Sequence, residues 1–239
     1  MSRAALVTGA GGDIGLAIAR ELGRAGHALT ISSRRPERLE AAASALRGDG
    51  FEVEPVVADV ADAEAVAALF ATHERRHGRL DVLVNNAGLG IPGEIDATPV
   101  RHLDLQLDVN LRAAVLGYHH GVPLLRRAGA EHRCALVVNT ASIAAQRPQP
   151  LLAIYAATKA ALVGLTRAMN RDLGPAGIKS TALCPGFVAS DMTQAAGLDV
   201  AAEDMLAPAD VAGAVGWLLS TGPTCVVPEI PFLRPGFVE

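Results

Sequence analysis

The stretch Ala4-Ala5-Leu6-Val7-Thr8-Gly9-Ala10-Gly11-Gly12-Asp13-Ile14-Gly15 decides how the rest of the chain is read. Its first half is a short apolar run of strand length, and its second half is a glycine-rich turn. Ile14, Ile18 and Leu22 then recur at helical spacing, so Asp13–Gly26 reads as a helix with one apolar stripe. Glycines at such a turn let the backbone bend tightly and approach a pyrophosphate, whose charge meets free N–H groups at the helix start. Such a turn can also be only a turn. The spacing is not the common G-x-G-x-x-G. It is nearer T-G-x-x-x-G-x-G, with Asp13 where the second glycine is expected. Aspartate is a good N-cap, so Asp13 is expected to start the helix.

Outward from this unit the pattern repeats. Strand-length runs at His27–Ser32, Phe51–Val57, Arg79–Val84, Arg133–Thr140, Ile178–Leu183 and Cys225–Ile230 alternate with helical stretches. The helices are Pro36–Arg47, Asp62–His77, about Pro99 to Arg127, Leu151–Leu173 and Pro208–Ser220. Strands alternating with helices of this length imply βαβ units and a parallel sheet. No repeat or linker divides the chain. The expected fold class is α/β: residues 1–239 as a single-domain, Rossmann-like, doubly wound parallel sheet of about seven strands, with ligands beyond the carboxyl ends of the strands.

Composition narrows the function. The 239 residues carry 21 Lys and Arg against 25 Asp and Glu, a net charge of −4 that offers no basic footprint for nucleic acid. Only 3% are aromatic, too few for base-stacking platforms. No apolar run reaches the roughly 18 residues of a membrane span, and the opening MSRAALVTGAGG passes straight into the turn, unlike a signal peptide. Cys134, Cys184 and Cys225 are odd in number and widely spaced, which suits neither a disulfide framework nor a metal knuckle. His73 and His77 share a helix face beside Glu74 but lack a third ligand, so they read as a solvated face and no metal is expected. A cytoplasmic protein with a small-molecule partner is expected, with no nucleic acid and no membrane.

Two sets of side chains carry chemistry. The second strand ends Ser32-Ser33-Arg34-Arg35, with no acid before Glu37. In a dinucleotide-binding unit an acid there would hold the adenosine ribose, whereas arginine accepts a 2′-phosphate, so NADP(H) is expected over NAD(H). Asp59-Val60, after the third strand, stands near the adenine position; Asp59 accepts from the adenine amino group or caps the next helix. The second set is Ser142, Tyr155 and Lys159. Tyr155 and Lys159 are four apart on a helix and share a face. An ammonium stabilises a phenolate, and a tyrosine so tuned exchanges a proton with a carbonyl or alcohol oxygen near neutral pH. Ser142, just past a strand end, can hydrogen-bond the same oxygen.

Thr8-Gly9…Gly15, Asp59, Asn85-Asn86-Ala87-Gly88, Asn110, Ser142, Tyr155-Ala156-Ala157-Thr158-Lys159 and Pro185-Gly186 stand in one order from residue 3 to about 220. In this the chain resembles the compact, single-domain short-chain dehydrogenases/reductases. The resemblance implies a catalytic set of Asn110, Ser142, Tyr155 and Lys159. Tyr155 would be the acid/base, Ser142 would orient the substrate oxygen, and Lys159 would hold the nicotinamide ribose and lower the pKa of Tyr155. Asn110 would kink its helix around a water that relays protons to Lys159. Cofactor contacts would come from Gly9, Gly11, Gly12, Asp13, Ile14, Gly15, Ser33, Arg34, Arg35, Asp59, Val60, Asn86, Ala87, Gly88, Tyr155, Lys159, Pro185, Gly186, Val188 and Ser190. The implied activity is NADP-dependent interconversion of a ketone or aldehyde and its alcohol, with 3-oxoacyl thioesters among the candidates. The substrate loop is expected at about 187–206, with Gly186 and Gly197 as hinges. The alternatives are a non-catalytic NADP-binding regulator or scaffold, and a sugar-nucleotide epimerase or dehydratase. An intact Ser/Tyr/Lys set argues against the first, and the short chain beyond Pro185-Gly186 against the second. The small-residue run Ala156–Gly164 and the resemblance together imply a homodimer or homotetramer. Of the two arginines with which some relatives dock an acyl carrier, Arg133 could be one, while Ala176 occupies the other place.

Overall fold

Strand β1 (Ala4–Thr8) is buried along its whole length, so it must be covered on both faces. In the computed structural model, which describes residues 2–190, 193 and 200–236, it lies at the centre of seven parallel strands. The others are β2 (Ala28–Ser33), β3 (Val53–Val57), β4 (Val82–Asn85), β5 (Ala135–Thr140), β6 (Ile178–Pro185) and β7 (Glu229–Phe232), in the order β3-β2-β1-β4-β5-β6-β7. The chain reverses its winding between β1 and β4, which makes the carboxyl ends of these two strands the topological switch point.

Successive residues on a strand face opposite ways, and the core divides accordingly. Ala5, Val7, Leu29, Ile31, Val82, Val84, Leu136 and Val138 pack under α1 (Asp13–Arg24), α2 (Pro36–Gly48) and α7 (Pro208–Ser220). Leu6, Leu83, Val137 and Ile178 pack under α3 (Ala63–His77), α5 (Ala113–His132) and α6 (Ala153–Leu173). At the amino end of the switch point, the buried Asp81 accepts the Ala4 N–H (2.9 Å) and both arms of Arg79 (2.8 and 2.9 Å), which ties β4 to β1. No helix among the described residues is long and apolar enough to cross a membrane.

Four expectations need correction. The long helical region begins as α4 (Val100–Leu107), runs through a π-helical turn at Asp108–Arg112, and continues as α5 to His132. Arg133 does not open a strand; it closes α5 in the left-handed region (φ 58°), and β5 starts at Ala135. The last strand is not Cys225–Ile230 but Glu229–Phe232, because β6 sets its register, with Ala182 opposite Glu229 and Pro185 opposite Phe232. Pro228 and Phe232 turn their carbonyls to β6. Pro231 therefore directs its nitrogen to the free edge, where the missing N–H costs no ladder bond. Finally, His73 is not on a solvated face. It is fully buried, with Nε2 on the Arg79 carbonyl (2.9 Å) and Nδ1 on the Thr30 hydroxyl (2.8 Å). Burial and the neighbouring His77 lower its pKa to about 4, so it is neutral at physiological pH.

Candidate active site

The glycine turn leaves β1 at the switch point. Gly9 has φ +67°, and a Cβ there would stand 2.9 Å from the Ala87 Cα. A Cβ at Gly15 would collide with the Gly9 carbonyl and the Asn86 amide. These two glycines are thus required by the close approach of Asn85-Asn86-Ala87-Gly88. Asn86 donates to the carbonyls of Thr8 (3.1 Å) and Gly9 (3.3 Å) and accepts from the Thr140 hydroxyl (3.1 Å). The Thr8 hydroxyl accepts from the N–H groups of Asn86 and Ala87 (3.0 and 3.2 Å). The segment therefore clasps the ends of β1, β4 and β5.

Gly12 is different. A Cβ there would come no nearer than 3.6 Å to any listed-range neighbour, the Gly9 carbonyl, so the backbone faces open space. Gly12, not Asp13, is the N-cap of α1, and no side chain caps that end; Asp13 is the first helical residue, with Ile14 behind it. An uncapped helix start with room for close backbone approach fits an anionic group such as a pyrophosphate. Gly11 packs against Ser33, whose Oγ a Cβ would meet at 2.8 Å, and against Arg38. Arg34 and Arg35 beyond it are exposed. Asp59 does not cap α3: it accepts the Ala61 N–H (3.0 Å), while Asp62 is the cap and accepts from Glu64 (2.9 Å). Asp59 is exposed beside the buried Val60.

Ser142, Tyr155 and Lys159 come together beyond β5. Ser142 is the extended N-cap of a single 3₁₀ turn (Ile143–Ala145), and its Oγ accepts the Ala144 N–H (3.2 Å). The Ser142 side chain is hydrogen-bonded to the Tyr155 phenol. Tyr155 and Lys159 lie one turn apart on α6, with Nζ 5.7 Å from the ring centroid. Lys159 is only 3% exposed and donates to the Thr140 carbonyl (2.8 Å). Among the described residues it has no carboxylate partner, and burial lowers its pKa to about 8. Burial raises the pKa of Tyr155 above its ordinary value, against the Ser142 hydrogen bond. The expectation that Lys159 lowers the Tyr155 pKa is therefore not met in the cofactor-free molecule, because desolvation outweighs the ammonium. Asn110 sits in the middle of the π-helical turn and exchanges two hydrogen bonds with the Leu89 backbone (both 2.8 Å). Its Nδ2 also reaches Thr158 (3.0 Å), rather than Lys159. A Cβ on Gly88 would stand 3.1 Å from Nζ of Lys159.

The short chain dehydrogenase family model matches residues 3–201. The chain belongs to that family. A putative ketoacyl reductase of a monensin polyketide synthase from Streptomyces virginiae is 36% identical, over 92% of this chain and 90% of its own length. The alcohol dehydrogenase of Thermococcus sibiricus, solved with 5-hydroxy-NADP, superposes with a TM-score of 0.87 at 30% identity, over 98% of this chain and 99% of the other. The 3-ketoacyl-(acyl-carrier-protein) reductase of Brucella melitensis, solved with NADH, has a TM-score of 0.85 at 28% identity, over 96% of each chain.

In this short-chain dehydrogenase the segment after β6 closes the site. Gly186 donates to the Phe232 carbonyl (3.0 Å), Ala189 to Leu206, and Leu206 to Phe187 (both 2.9 Å), so the two ends of the 187–206 loop are zipped together. Val188 is buried in that zipper. The Ser190 hydroxyl lies 3.3 Å from that of Thr193, which caps the Val188 carbonyl (2.6 Å). Asp191 and the hinge candidate Gly197 lie outside the described residues. Arg38 was not singled out from the sequence. It lies in the first turn of α2 at the mouth of a cleft of about 250 Å³ shared with Gly11, Leu16, Ala41 and Ala42. Its position three residues after Arg35, just past the helix-opening Pro36, was the available signal.

Proposed function

We propose that this short-chain dehydrogenase reversibly reduces a ketone or aldehyde to the alcohol, with NADP(H) as cofactor and Tyr155 as the proton donor. The observation that carries the proposal is the Ser142–Tyr155 hydrogen bond beside a buried Lys159, at the same strand ends as the uncapped glycine turn. Gly9, Gly11, Gly12, Ile14 and Gly15 would hold the pyrophosphate, Asp59 and Val60 the adenine, and Asn86, Ala87 and Gly88 the inner adenosine side. Pro185, Gly186, Val188 and Ser190 would line the nicotinamide, and Lys159 its ribose. When bound, the nicotinamide would supply the hydride for the carbonyl carbon. Tyr155, kept protonated by burial, gives its proton to the carbonyl oxygen, and Ser142 donates a hydrogen bond to the same atom. Two donors fixed before the reaction stabilise the charge that develops there. Asn110 holds α6 through Thr158, whose hydroxyl bonds the Tyr155 carbonyl (2.7 Å). The polyketide and carrier-protein ketoreductases among the relatives favour a 3-oxoacyl thioester or a general ketone.

Ser33, Arg34 and Arg35, with Arg38 beside them, support NADP over NAD, since a hydrogen bond to a charged group contributes about 1.5–3 kcal/mol. Calorimetric titration with NADPH and NADH, followed by a carbonyl panel, tests both levels. NADPH should bind tightly and turn over on a ketone, and Arg34→Ala with Arg35→Ala should narrow the preference by about tenfold to a hundredfold. Failure of both nucleotides to bind would overturn the function, and equal affinity for NADH would overturn the NADP preference. A homodimer or homotetramer is supported by the exposed Val100, Leu103, Leu107 and Val115 along α4 and α5, and by Gly164, where a Cβ would meet nothing within 4 Å. Sedimentation at micromolar concentration should give a multiple of 24.6 kDa; a monomer would refute it.

A further inference from the structure

Glu229 opens the edge strand β7, and its side chain is only 11% exposed. Its carboxylate holds three groups from three other elements. Arg167 of α6 donates to Oε2 (2.7 Å), the Gln146 amide donates to Oε1, and the Cys184 thiol of β6 donates to the same oxygen (3.5 Å). Two of these partners lead to Ser142. The Ser142 backbone N–H is hydrogen-bonded to the Cys184 sulfur, and Gln146 lies immediately after the 3₁₀ turn that Ser142 caps. The strand pairing of β6 with β7 runs through the backbone and does not need any of these side-chain bonds.

We propose that Glu229 is a positioning residue for Ser142: one carboxylate fixes the serine through the Cys184 sulfur on its N–H and through Gln146 at the end of its turn, with Arg167 orienting the carboxylate from outside. The role rests on the reading that Ser142 and Tyr155 act on a carbonyl oxygen. Burial and the Glu229 charge also push the Cys184 pKa up to about 12, so the thiol remains a neutral donor beside Lys159 rather than a competing anion. Cys184 is thereby held as a link in the chain of hydrogen bonds, not as a nucleophile.

Glu229→Ala should lower kcat for ketone reduction by about tenfold to a hundredfold, as expected for a displaced orienting group, with the KM for NADPH unchanged. Glu229→Gln keeps an acceptor and should recover part of that loss. Arg167→Met, at the exposed end of the arrangement, should give a smaller fall in kcat at an unchanged melting temperature. Wild-type kcat in Glu229→Ala would overturn the proposal, as would loss of kcat, NADPH affinity and melting temperature together. A second readout does not depend on turnover: alkylation of Cys184, followed by peptide mass spectrometry between about pH 8 and 11, should be faster in Glu229→Ala. Equal alkylation rates would overturn the Glu229–Cys184 link even if no carbonyl proves to be a substrate. A wild-type chain that reduces no carbonyl, with Cys184 still protected by Glu229, would instead count against the proposed reaction alone.

Discussion

Tyr155→Phe is expected to reduce turnover on any carbonyl substrate by about 10²–10⁴-fold, the range that a positioned general acid contributes, while NADPH binds as before. The substitution removes one oxygen and keeps the ring, which is in van der Waals reach of Gly90. The lost hydroxyl is the partner of Ser142, so Ser142 retains its place on the Ala144 N–H but faces the substrate oxygen alone. One neutral hydrogen bond is removed, worth about 1 kcal/mol, and the variant should therefore stay folded. Steady-state kinetics and NADPH calorimetry on the same preparation separate the two effects. Turnover within about tenfold of wild type would remove Tyr155 from the acid/base role. Loss of NADPH affinity with loss of turnover would show a binding defect instead.

The elements that carry this site were legible because each left a local mark. The apolar run into Thr8-Gly9, the four-residue step from Tyr155 to Lys159, and Ser142 past a strand end are short-range patterns set by strand and helix periodicity. His73 was legible too, and was misread: Val66, Leu69, Phe70 and His73 are the buried positions of α3, so the histidine continues the apolar stripe. What periodicity does not encode is pairing at long range. The register of β7 is imposed by β6, and Glu229 meets Gln146 across 83 positions of sequence. The π-helical turn at Asn110 likewise follows from tertiary demands, since the side chain must reach both Leu89 and Thr158. The pKa of Tyr155 was expected to fall because a neighbouring ammonium was visible in the sequence, whereas the burial that opposes it was not.

Lys159→Met should abolish turnover to a similar degree and yet make the protein more stable at neutral pH. The ammonium is buried, and its pKa is about 8 in the folded chain against an ordinary value of 10.5. Below pH 8 both folded and unfolded chains carry the proton, and the folded one bears the full cost of the buried charge, on the order of 3 kcal/mol. Between pH 8 and 10.5 the unfolded chain binds more protons than the folded chain, so this group makes stability rise with pH. Methionine removes the charge and fills much the same space, at the loss of about 1 kcal/mol for the hydrogen bond to the Thr140 carbonyl. The variant should thus exceed wild type by about 2 kcal/mol in urea unfolding at pH 7, and that advantage should vanish or reverse near pH 10.5. In wild type, kcat/KM for carbonyl reduction should fall as pH rises through about 8, where Lys159 loses its charge. Whatever turnover remains in Lys159→Met should lack that limb. A variant less stable than wild type at pH 7 would mean that the lysine is better compensated than its surroundings indicate. An unaltered alkaline limb would assign the titration to another group. A residue that destabilises its own fold and is needed for turnover is what a site built for a bound cofactor and substrate predicts, because their hydroxyls supply the partners that the folded chain leaves out.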